Sequence, residues 1–277
     1  MTEKLFFLGT PSFAANILDG ILDKGINVAG VITGPDKKQG RGHKVSESAV
    51  AKATIKHNIA TFKPNDTNEL ENILANNSPT LCLVIAYGMI FPEHLVSKYN
   101  FINIHGSLLP KYRGPSPIQS CLLNGDKISG VTLMKIGKGI DDGDMITAKT
   151  TTIDPTETAG SLFEKLESIS TDLLVEHLPR YKNWGYTKQD SSEATHTKKI
   201  KKEDGKVDLS KDNPTAIYQK YQAFMPWPGI YTYQNEQRIK LVEIELEENL
   251  LKIINVQKEG KKTISYSDFL NSNEPLI

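Results

Sequence analysis

The sequence is poor in cysteine, has no long apolar run and carries no excess of charge of either sign. Among its 277 residues there are two cysteines, Cys82 and Cys121, which cannot make a disulfide framework or a four-ligand zinc site. The apolar run from Leu81 to Phe91 is too short to cross a bilayer, and the run from Leu5 to Leu8 is too short for the core of a signal peptide. We therefore expect a cytoplasmic protein that does not associate with membranes.

The charge and the apolar content further narrow the class of protein to which the chain can belong. Lys and Arg together number 33, as do Asp and Glu, and the hydrophobic fraction is 38%. That apolar content argues against wholesale disorder, and the length is enough for one or two domains with a substantial core. The zero net charge excludes a uniformly basic surface, although local basic patches could still bind an RNA.

Short apolar segments alternate with amphipathic ones as far as residue 178. Near the N-terminus, Thr10 can cap a helix and Pro11 suits its first position, which predicts a strand, a tight turn and a helix. Such alternation predicts an α/β fold with an open, mostly parallel, doubly wound Rossmann-like sheet. The predicted strands are Lys4–Gly9, Asn27–Thr33, Leu81–Ala86, Phe101–His105, Val131–Ile136 and Met145–Thr152, and the longer predicted helices are Ser46–His57 and Thr158–Leu178.

The pattern changes after Leu178. A polar stretch without periodicity is followed by a helix near Asn213–Phe224, a Pro-Trp-Pro-Gly break and four short strand-like segments. We therefore divide the chain into a catalytic domain at 1–178, a linker at 179–198 and a small β-rich domain at 199–277. The strand-like segments are Ile230–Tyr233, Arg238–Ile244, Leu250–Val256 and one near Thr263–Tyr266.

The first turn lacks a dinucleotide-binding signature. Gly9 is present, but Pro11 and Ala14 stand where the later glycines of a Gly-x-Gly-x-x-Gly motif would lie. Asp36, the acid nearest the position expected to bind a ribose, sits inside a basic segment. An ordinary turn between strand and helix explains this region, so we expect no dinucleotide cofactor.

Polar residues at the end of one predicted strand carry the clearest chemistry. Asn103 and His105 are two residues apart, so their side chains lie on one face of the strand. They stand at its carboxyl end, where open α/β sheets build their sites, and an irregular segment at 110–114 follows. A single histidine in such a place is more often structural than catalytic, so this motif needs a second feature.

The second feature is a turn rich in glycine and aspartate between two predicted strands, at Gly137–Met145. It contains three aspartates, of which Asp141 is the first. An amide donor, an imidazole and a carboxylate on adjacent strand ends form a constellation suited to acyl transfer.

Six motifs together resemble the formyltransferases that use 10-formyltetrahydrofolate, over nearly the whole chain. The glycine-rich basic segment makes the resemblance greatest to the group that formylates methionyl-tRNA. The motifs are FLGTPSFA at Phe7–Ala14, GPDKKQGRGHK at Gly34–Lys44, VIAYGMI at Val84–Ile90, NIHGSLLPKYRGPSPIQ at Asn103–Gln119, GIDDGDM at Gly139–Met145 and AFMPWPG at Ala223–Gly229.

The resemblance implies a catalytic triad of Asn103, His105 and Asp141. The amine of methionyl-tRNA would attack the formyl carbon of 10-formyltetrahydrofolate, giving formylmethionyl-tRNA for translation initiation. Asn103 and His105 would hydrogen-bond the oxygen that becomes negative. Asp141 would orient His105, favour its charged form and help to remove the amine proton, directly or through water. No metal is implied.

The resemblance also implies the residues that hold the folate. Ordinary packing is the alternative for Leu108 and Leu109, and Asp144 could tie down its own turn instead of touching substrate. The implied folate contacts are Tyr87, Gly88, Met89, Ile90, Ser107, Leu108, Leu109 and Pro110.

Two basic segments predict contact with the acceptor arm of the initiator methionyl-tRNA. The segment at 34–44 has four Lys or Arg against one acid, and the segment at 196–206 has five Lys against two acids, so each has a net charge of +3. Solvated surface is the alternative for both. The candidate tRNA-binding residues are Lys37, Lys38, Arg41, His43, Lys44, Lys198, Lys199, Lys201 and Lys202.

The C-terminal region is short for this family, whose members end in an oligonucleotide-binding-type barrel. From Gly229 onward 49 residues remain, enough for three or four short strands, so we expect a shortened barrel. The acidic residues between Glu243 and Glu248 do not suit phosphate contact.

Three alternative functions stay open at this level. One is a formyltransferase that acts on a nucleotide-linked amino sugar, which the short barrel favours and the basic segment at 34–44 disfavours. Another is a hydrolase that releases formate from the same folate. The third is a non-catalytic tRNA-binding or folate-sensing module, against which the intact triad argues. Nothing in the sequence indicates an obligate protein partner.

Overall fold

The computed structural model describes residues 3–39 and 44–276. The chain divides into two compact units, each assembled from three separate stretches. One unit comprises Met1–Arg113, Gly130–Thr151 and Phe163–Thr195, and the other comprises Gly114–Ser129, Thr152–Leu162 and His196–Ile277.

Nine strands lie in the first part of the chain, within the residues that the structure describes. Seven of them form one sheet in the order β5-β2-β1-β6-β7-β8-β9, and β3 pairs with β4 in a separate two-stranded ribbon. The nine strands are β1 Leu5–Gly9, β2 Gly30–Ile32, β3 Lys37–Gln39, β4 Lys44–Ser46, β5 Thr61–Phe62, β6 Leu81–Ile85, β7 Phe101–His105, β8 Ile128–Lys135 and β9 Met145–Thr152.

The large sheet is parallel from β5 through β7, and β8 runs antiparallel to β7. All five residues of β6 are buried, as its wholly apolar sequence requires for a central strand covered on both faces. In the described part of the chain, six helices accompany these strands: α1 Ser12–Asp23, α2 Ala49–His57, α3 Thr67–Asn77, α4 Glu93–Lys98, α5 Pro117–Leu123 and α6 Ala159–His177.

Local signals fix where the helices begin. The Ser48 side chain accepts a hydrogen bond from the backbone of Ala51 at the start of α2, and Asp66 accepts two at the start of α3. Glu69 in turn accepts a hydrogen bond from the Asn65 backbone nitrogen, just before this cap, at 2.8 Å. None of the helices in the described ranges is long and apolar enough to cross a membrane.

One face of the large sheet carries a hydrophobic cluster that includes Phe101 and is here called the Phe101 cluster. Its buried members include Cys82 and Val84 of β6, and Tyr87 of the loop that follows β6. Met89, Phe91 and Ile136 are partly buried and pack against it. The cluster therefore supports both the loop after β6 and the beginning of the turn after β8.

The C-terminal part of the chain forms a four-stranded antiparallel sheet in the order β10-β11-β12-β13. Its elements are α7 Pro214–Phe224, β10 Ile230–Gln234, β11 Gln237–Glu247, β12 Leu250–Lys258, β13 Ile264–Ser265 and α8 Tyr266–Leu270. A mostly parallel α/β sheet followed by a small β-rich domain confirms the predicted fold class.

Candidate active site

Strand β7 presents two of the three candidate catalytic side chains. It lies between β6 and β8, where Asn103 pairs with Val84 on one side and with Met134 on the other. His105 is 5% exposed, whereas Asn103 is half-buried. Both side chains lie on the face that carries the Phe101 cluster, because Phe101, Asn103 and His105 alternate with the intervening residues.

The carboxylate of Asp141 reaches His105 by a route that strand order alone does not predict. Because β8 is antiparallel to β7, its last residue, Lys135, stands opposite Ile102, about 10 Å along β7 from His105. The turn at 136–144 then returns along the sheet, and Oδ2 of Asp141 lies 3.6 Å from Nδ1 of His105. The sequence predicts that the imidazole and the carboxylate meet because they stand on adjacent strand ends. In the structure they meet because the turn folds back toward His105.

Both ring nitrogens of His105 face acceptors. Nε2 lies 2.9 Å from the carbonyl oxygen of Tyr112, which can only accept, so Nε2 donates. Nδ1 faces the Asp141 carboxylate at 3.6 Å, beyond a direct hydrogen bond. Nδ1 can therefore take a proton when the ring is neutral, and donate one when the ring is charged.

The turn that carries Asp141 is tightly constrained. Asp141 has a positive φ of 50°, and the Asp142 carboxylate accepts a hydrogen bond from the Gly139 nitrogen at 3.1 Å. A Cβ on Gly143 would lie 1.9 Å from the Lys135 carbonyl oxygen, so glycine is required there. The Asp144 carbonyl accepts from the Lys135 nitrogen at 2.9 Å, while its side chain is exposed.

Residues 107–110, which the resemblance assigns to the folate, form a loop held by its own hydrogen bonds. The hydroxyl of Ser107 donates to the Lys111 carbonyl at 2.6 Å. Thr132 donates to the Ser107 carbonyl at 2.7 Å and accepts from the Leu109 nitrogen at 3.1 Å. Leu109 is 7% exposed, and Leu108 and Pro110 are half-buried.

Residues 87–90, the other segment assigned to the folate, alternate between buried and exposed. Tyr87 is buried, and burial raises the pKa of its hydroxyl to about 12. Its ring stacks on Phe91, whose ring stacks on Phe101 with centroids 4.5 Å apart. Gly88 has open space around it, Met89 is half-buried and Ile90 is 87% exposed. The loop thus presents accessible backbone groups at Gly88, and stacked aromatic rings pack beneath it.

The basic segment at 34–44 forms the β3–β4 ribbon in its described part. Lys37 is exposed, whereas Lys38 and Lys44 are described as members of the two strands. Arg41 and His43 lie outside the described residues. Lys63 forms hydrogen bonds to Asp36 at 2.8 Å and to Glu47 at 2.9 Å, which raise the pKa of its ammonium group.

The second basic segment is solvent-exposed. The side chains of its four candidate lysines are accessible, and Asp204 accepts a hydrogen bond from the Lys201 backbone nitrogen at 2.7 Å. The Lys198 carbonyl accepts one from the Ser116 hydroxyl at 2.6 Å. These bonds shape the backbone and leave the ammonium groups to solvent. The four lysines are Lys198, Lys199, Lys201 and Lys202.

Sequence reasoning missed three residues that surround the triad: Tyr112, Arg113 and Gln189. The buried Gln189 side chain donates to the carbonyls of Asp141 and Gly143 at 2.9 and 2.7 Å, and accepts from Nε of Arg113 at 3.0 Å. Gln189 lies inside the polar stretch expected to link the domains, and no local pattern marks it.

In the described ranges, no group of three His, Cys, Asp or Glu side chains could hold a metal ion.

Several solved structures share this fold, and one of them belongs to a chain about twice as long. The chain superposes on HypX from Aquifex aeolicus with a TM-score of 0.69 at 16% identity, covering 98% of this chain and 47% of that one. An N-formyltransferase from Helicobacter canadensis gives 0.66 at 21% identity, with 95% and 99% covered. A methionyl-tRNA formyltransferase from Clostridium thermocellum gives 0.59 at 18% identity, with 93% and 99% covered. At these identities the likeness shows the fold alone.

Sequence comparisons are more specific. The formyl transferase family model matches residues 3–178, and the formyl transferase C-terminal domain model matches residues 199–250. The methionyl-tRNA formyltransferase of Sulfurimonas denitrificans is 38% identical, with 93% of this chain and 86% of that protein covered. That of Agathobacter rectalis is 35% identical, with 96% of both covered. The chain therefore belongs to the formyl transferases, and within them to the methionyl-tRNA formyltransferase family.

Proposed function

We propose that this protein transfers the formyl group of 10-formyltetrahydrofolate to the free amino group of methionyl-tRNA. The observation that carries the proposal is the placement of His105 between the Tyr112 carbonyl and the Asp141 carboxylate, on the strand that also presents Asn103. The reaction forms a bond between the amine nitrogen and the formyl carbon and breaks the bond between that carbon and the folate nitrogen. One proton leaves the amine, and one reaches the folate nitrogen.

Each member of the triad has a role in this proposal. Asn103 and the charged form of His105 donate hydrogen bonds to the formyl oxygen as negative charge develops on it. Nδ1 is the donating atom of His105, because Nε2 is already bonded to Tyr112. The Asp141 carboxylate, 3.6 Å from Nδ1, stabilises the charged ring and takes the amine proton directly or through water.

The residues around the triad fit the formyl donor. 10-Formyltetrahydrofolate supplies the carbon that is transferred. The loop at Tyr87–Ile90 presents open backbone at Gly88 and an exposed apolar side chain at Ile90, and the aspartate turn presents an exposed apolar side chain at Ile140. Accessible backbone groups can read the hydrogen-bonding edge of a pterin, and apolar side chains can cover its ring. Ser107, Leu108, Leu109 and Pro110 complete the proposed folate site.

The basic segments supply the proposed tRNA contacts. Lys37 and the four lysines of residues 198–202 are exposed, as phosphate contact requires. Together with Lys38, Arg41, His43 and Lys44 they would bind the acceptor arm of the initiator tRNA. We propose that the reaction takes place in the cytoplasm. We also propose that the chain consists of a catalytic domain at 1–178, a linker at 179–198 and a small β-rich domain at 199–277.

The choice of amine tests the proposal. The protein is incubated with 10-formyltetrahydrofolate and either methionyl-tRNA or a nucleotide-linked amino sugar, and the formylated product is identified by mass spectrometry. We expect formylmethionyl-tRNA. Turnover of the sugar without formylation of the tRNA at low salt would favour the sugar enzyme, and release of formate without either product would favour a hydrolase.

A further inference from the structure

Residues 187–195 lie against the candidate active site, although their sequence is polar and irregular. The Thr187 and Met145 backbones exchange two hydrogen bonds of 2.8 Å at the end of the aspartate turn. The Thr195 carbonyl accepts from the Arg113 nitrogen at 2.8 Å, eight residues further on. Residues 187–195 are here called the strap. One end binds the aspartate turn and the other end binds the loop of Arg113, and these two segments flank His105.

The buried side chain of the strap is Gln189. It is 4% exposed, whereas its neighbours Lys188 and Asp190 are exposed. Its Nε2 donates to the carbonyls of Asp141 and Gly143, at 2.9 and 2.7 Å. Because both N–H groups of the amide are used on one turn, a single side chain fixes the backbone that carries the Asp141 carboxylate.

The other end of Gln189 fixes the opposite loop. Its Oε1 accepts from Nε of Arg113 at 3.0 Å, and Arg113 is 6% exposed. Nη2 of Arg113 is buried without a hydrogen-bond partner among the residues that the structure describes, and the bond from Nε to Gln189 offsets part of the cost of burying this guanidinium group. Gln189 thereby ties the loop of Arg113 to the turn of Asp141.

Thr195 acts on the same loop at Tyr112. Its Oγ1 accepts from the Tyr112 nitrogen at 2.8 Å, and the Tyr112 carbonyl accepts from Nε2 of His105 at 2.9 Å. Tyr112 has a φ of 61° and Asp141 a φ of 50°, a region that non-glycine residues occupy at a cost. Each of the two strained residues that face His105 is therefore held by a side chain of the strap.

We propose that Gln189 and Thr195 are positioning residues for the reaction, which fix the two acceptors of His105 and so the orientation and tautomer of its ring. The inference rests on the proposed function for its kinetic effect and on the structure alone for its effect on the ring. Neither residue touches the substrate in this proposal. Gln189 acts through the turn that carries the Asp141 carboxylate, and Thr195 acts through the backbone of Tyr112.

Matched variants separate positioning from general stability. Gln189→Ala removes the three bonds of the strap side chain. Gln222→Ala is the control, because Nε2 of Gln222 also donates to two carbonyls, those of Pro155 and Glu157, both at 2.8 Å, and its side chain is also buried. Thr195→Val removes the hydroxyl that accepts from Tyr112, and Thr195→Ser keeps it.

The imidazole signals of His105 give the first readout, from nitrogen-detected NMR of the protein alone at a fixed pH. We expect Gln189→Ala and Thr195→Val to change the His105 tautomer pattern and the chemical shifts of its ring nitrogens, and Gln222→Ala and Thr195→Ser to leave both unchanged. If the His105 signals of all four variants match the wild type, the inference is wrong, whatever the substrate is.

Steady-state kinetics give the second readout. Displacing a catalytic group by about 1 Å costs on the order of 100-fold in rate, so we expect Gln189→Ala to lower kcat by about 10- to 100-fold, with KM for both substrates within about threefold. An equal loss of melting temperature in Gln189→Ala and Gln222→Ala, with kcat unchanged in both, would make Gln189 merely structural. If the wild-type protein formylates no methionyl-tRNA while Gln189→Ala and Thr195→Val show the expected His105 changes, the proposed function is contradicted and the positioning role stands.

Discussion

Nδ1 of His105 and Oδ2 of Asp141 lie 3.6 Å apart, although strand β7, which carries His105, runs opposite to β8, which leads into the turn of Asp141. The turn after β8 starts beside the far end of β7 and comes back along the sheet to deliver the carboxylate. A side chain placed in this way depends on everything that holds the turn, including the glycines within it and the glutamine that binds its carbonyls. The rate of formyl transfer should therefore respond to residues that never touch the substrate.

Asn103 should matter for rate more than for binding. Asn103→Ala removes an amide donor from the formyl oxygen, and the loss of one such donor costs about 3 kcal/mol, or about 100-fold in kcat. Because the residue is half-buried and pairs through its backbone, we expect little loss of melting temperature. Steady-state assays with methionyl-tRNA and differential scanning fluorimetry measure both. A raised KM at unchanged kcat would show that Asn103 binds substrate instead.

The Phe101 cluster should link core packing to folate binding. Phe101→Leu and Phe7→Leu both shorten a fully buried aromatic side chain, so each should lower the free energy of unfolding by about 1–2 kcal/mol. Phe101 stacks on Phe91 beneath the loop at 87–90, whereas Phe7 lies outside that cluster.

We therefore expect only Phe101→Leu to raise KM for 10-formyltetrahydrofolate, by up to about tenfold, which corresponds to about 1.4 kcal/mol. Chemical denaturation gives the stabilities, and initial rates at varied folate give KM. Equal KM values in the two variants would show that the loop at 87–90 does not depend on the Phe101 cluster for folate binding. That result would contradict the proposed folate site.

The lysines at 201 and 202 should contribute to tRNA affinity by neutralising phosphates. We expect Lys201→Gln with Lys202→Gln to weaken binding most at low salt and to reduce the slope of log Kd against log salt by ~0.7–0.9 for each phosphate that is no longer neutralised. Lys261→Gln with Lys262→Gln is a matched control, since this pair is also adjacent and exposed. Filter binding from 50 to 300 mM salt (roughly the range in which counterion release dominates) measures the slopes. The idea fails if the two double variants give the same slope as the wild type.

Both cysteines should be unreactive in the folded protein. Burial raises the pKa of Cys82 to about 12 and that of Cys121 to about 11, so the reactive thiolates are scarce at pH 8. We expect Ellman's reagent to label neither thiol until denaturant is added. Because the folded state holds these protons more tightly than the unfolded state, whose thiols ionise near 9.0, stability should fall as pH rises above about 9. Rapid labelling of native protein at pH 8 would contradict this.

Much of the fold is predictable from local pattern, because strands and helices here follow their sequence periods. Strand β7 has the predicted limits of Phe101–His105, and helix α6, observed at Ala159–His177, differs by one residue at each end from the prediction. Short elements with weak patterns, such as β5 and α4, were not predicted. The four C-terminal strands agree with the prediction because alternation and turns mark them clearly.

The candidate site is only partly predictable from sequence, because its geometry depends on long-range contacts. Asn103, His105 and Asp141 stand out by residue type and motif, but the return of the turn toward His105 depends on the antiparallel register of β8. Gln189 lies 48 residues from Asp141 in sequence, between two exposed neighbours, so no local rule selects it. A buried polar side chain of this kind becomes visible only when its hydrogen bonds are known.

The most direct test compares single-turnover formylation of methionyl-tRNA by wild-type protein, His105→Ala and Asp141→Asn. Asp172→Asn is the control, because it removes an exposed carboxylate paired with Lys24 at 2.6 Å, and such surface pairs contribute less than about 1 kcal/mol. With enzyme in excess over labelled folate, we expect wild type and Asp172→Asn to form formylmethionyl-tRNA at similar rates. His105→Ala and Asp141→Asn should be slower by about 100-fold or more while melting as cooperatively as the wild type. Near-wild-type rates in either of these two variants would contradict the account.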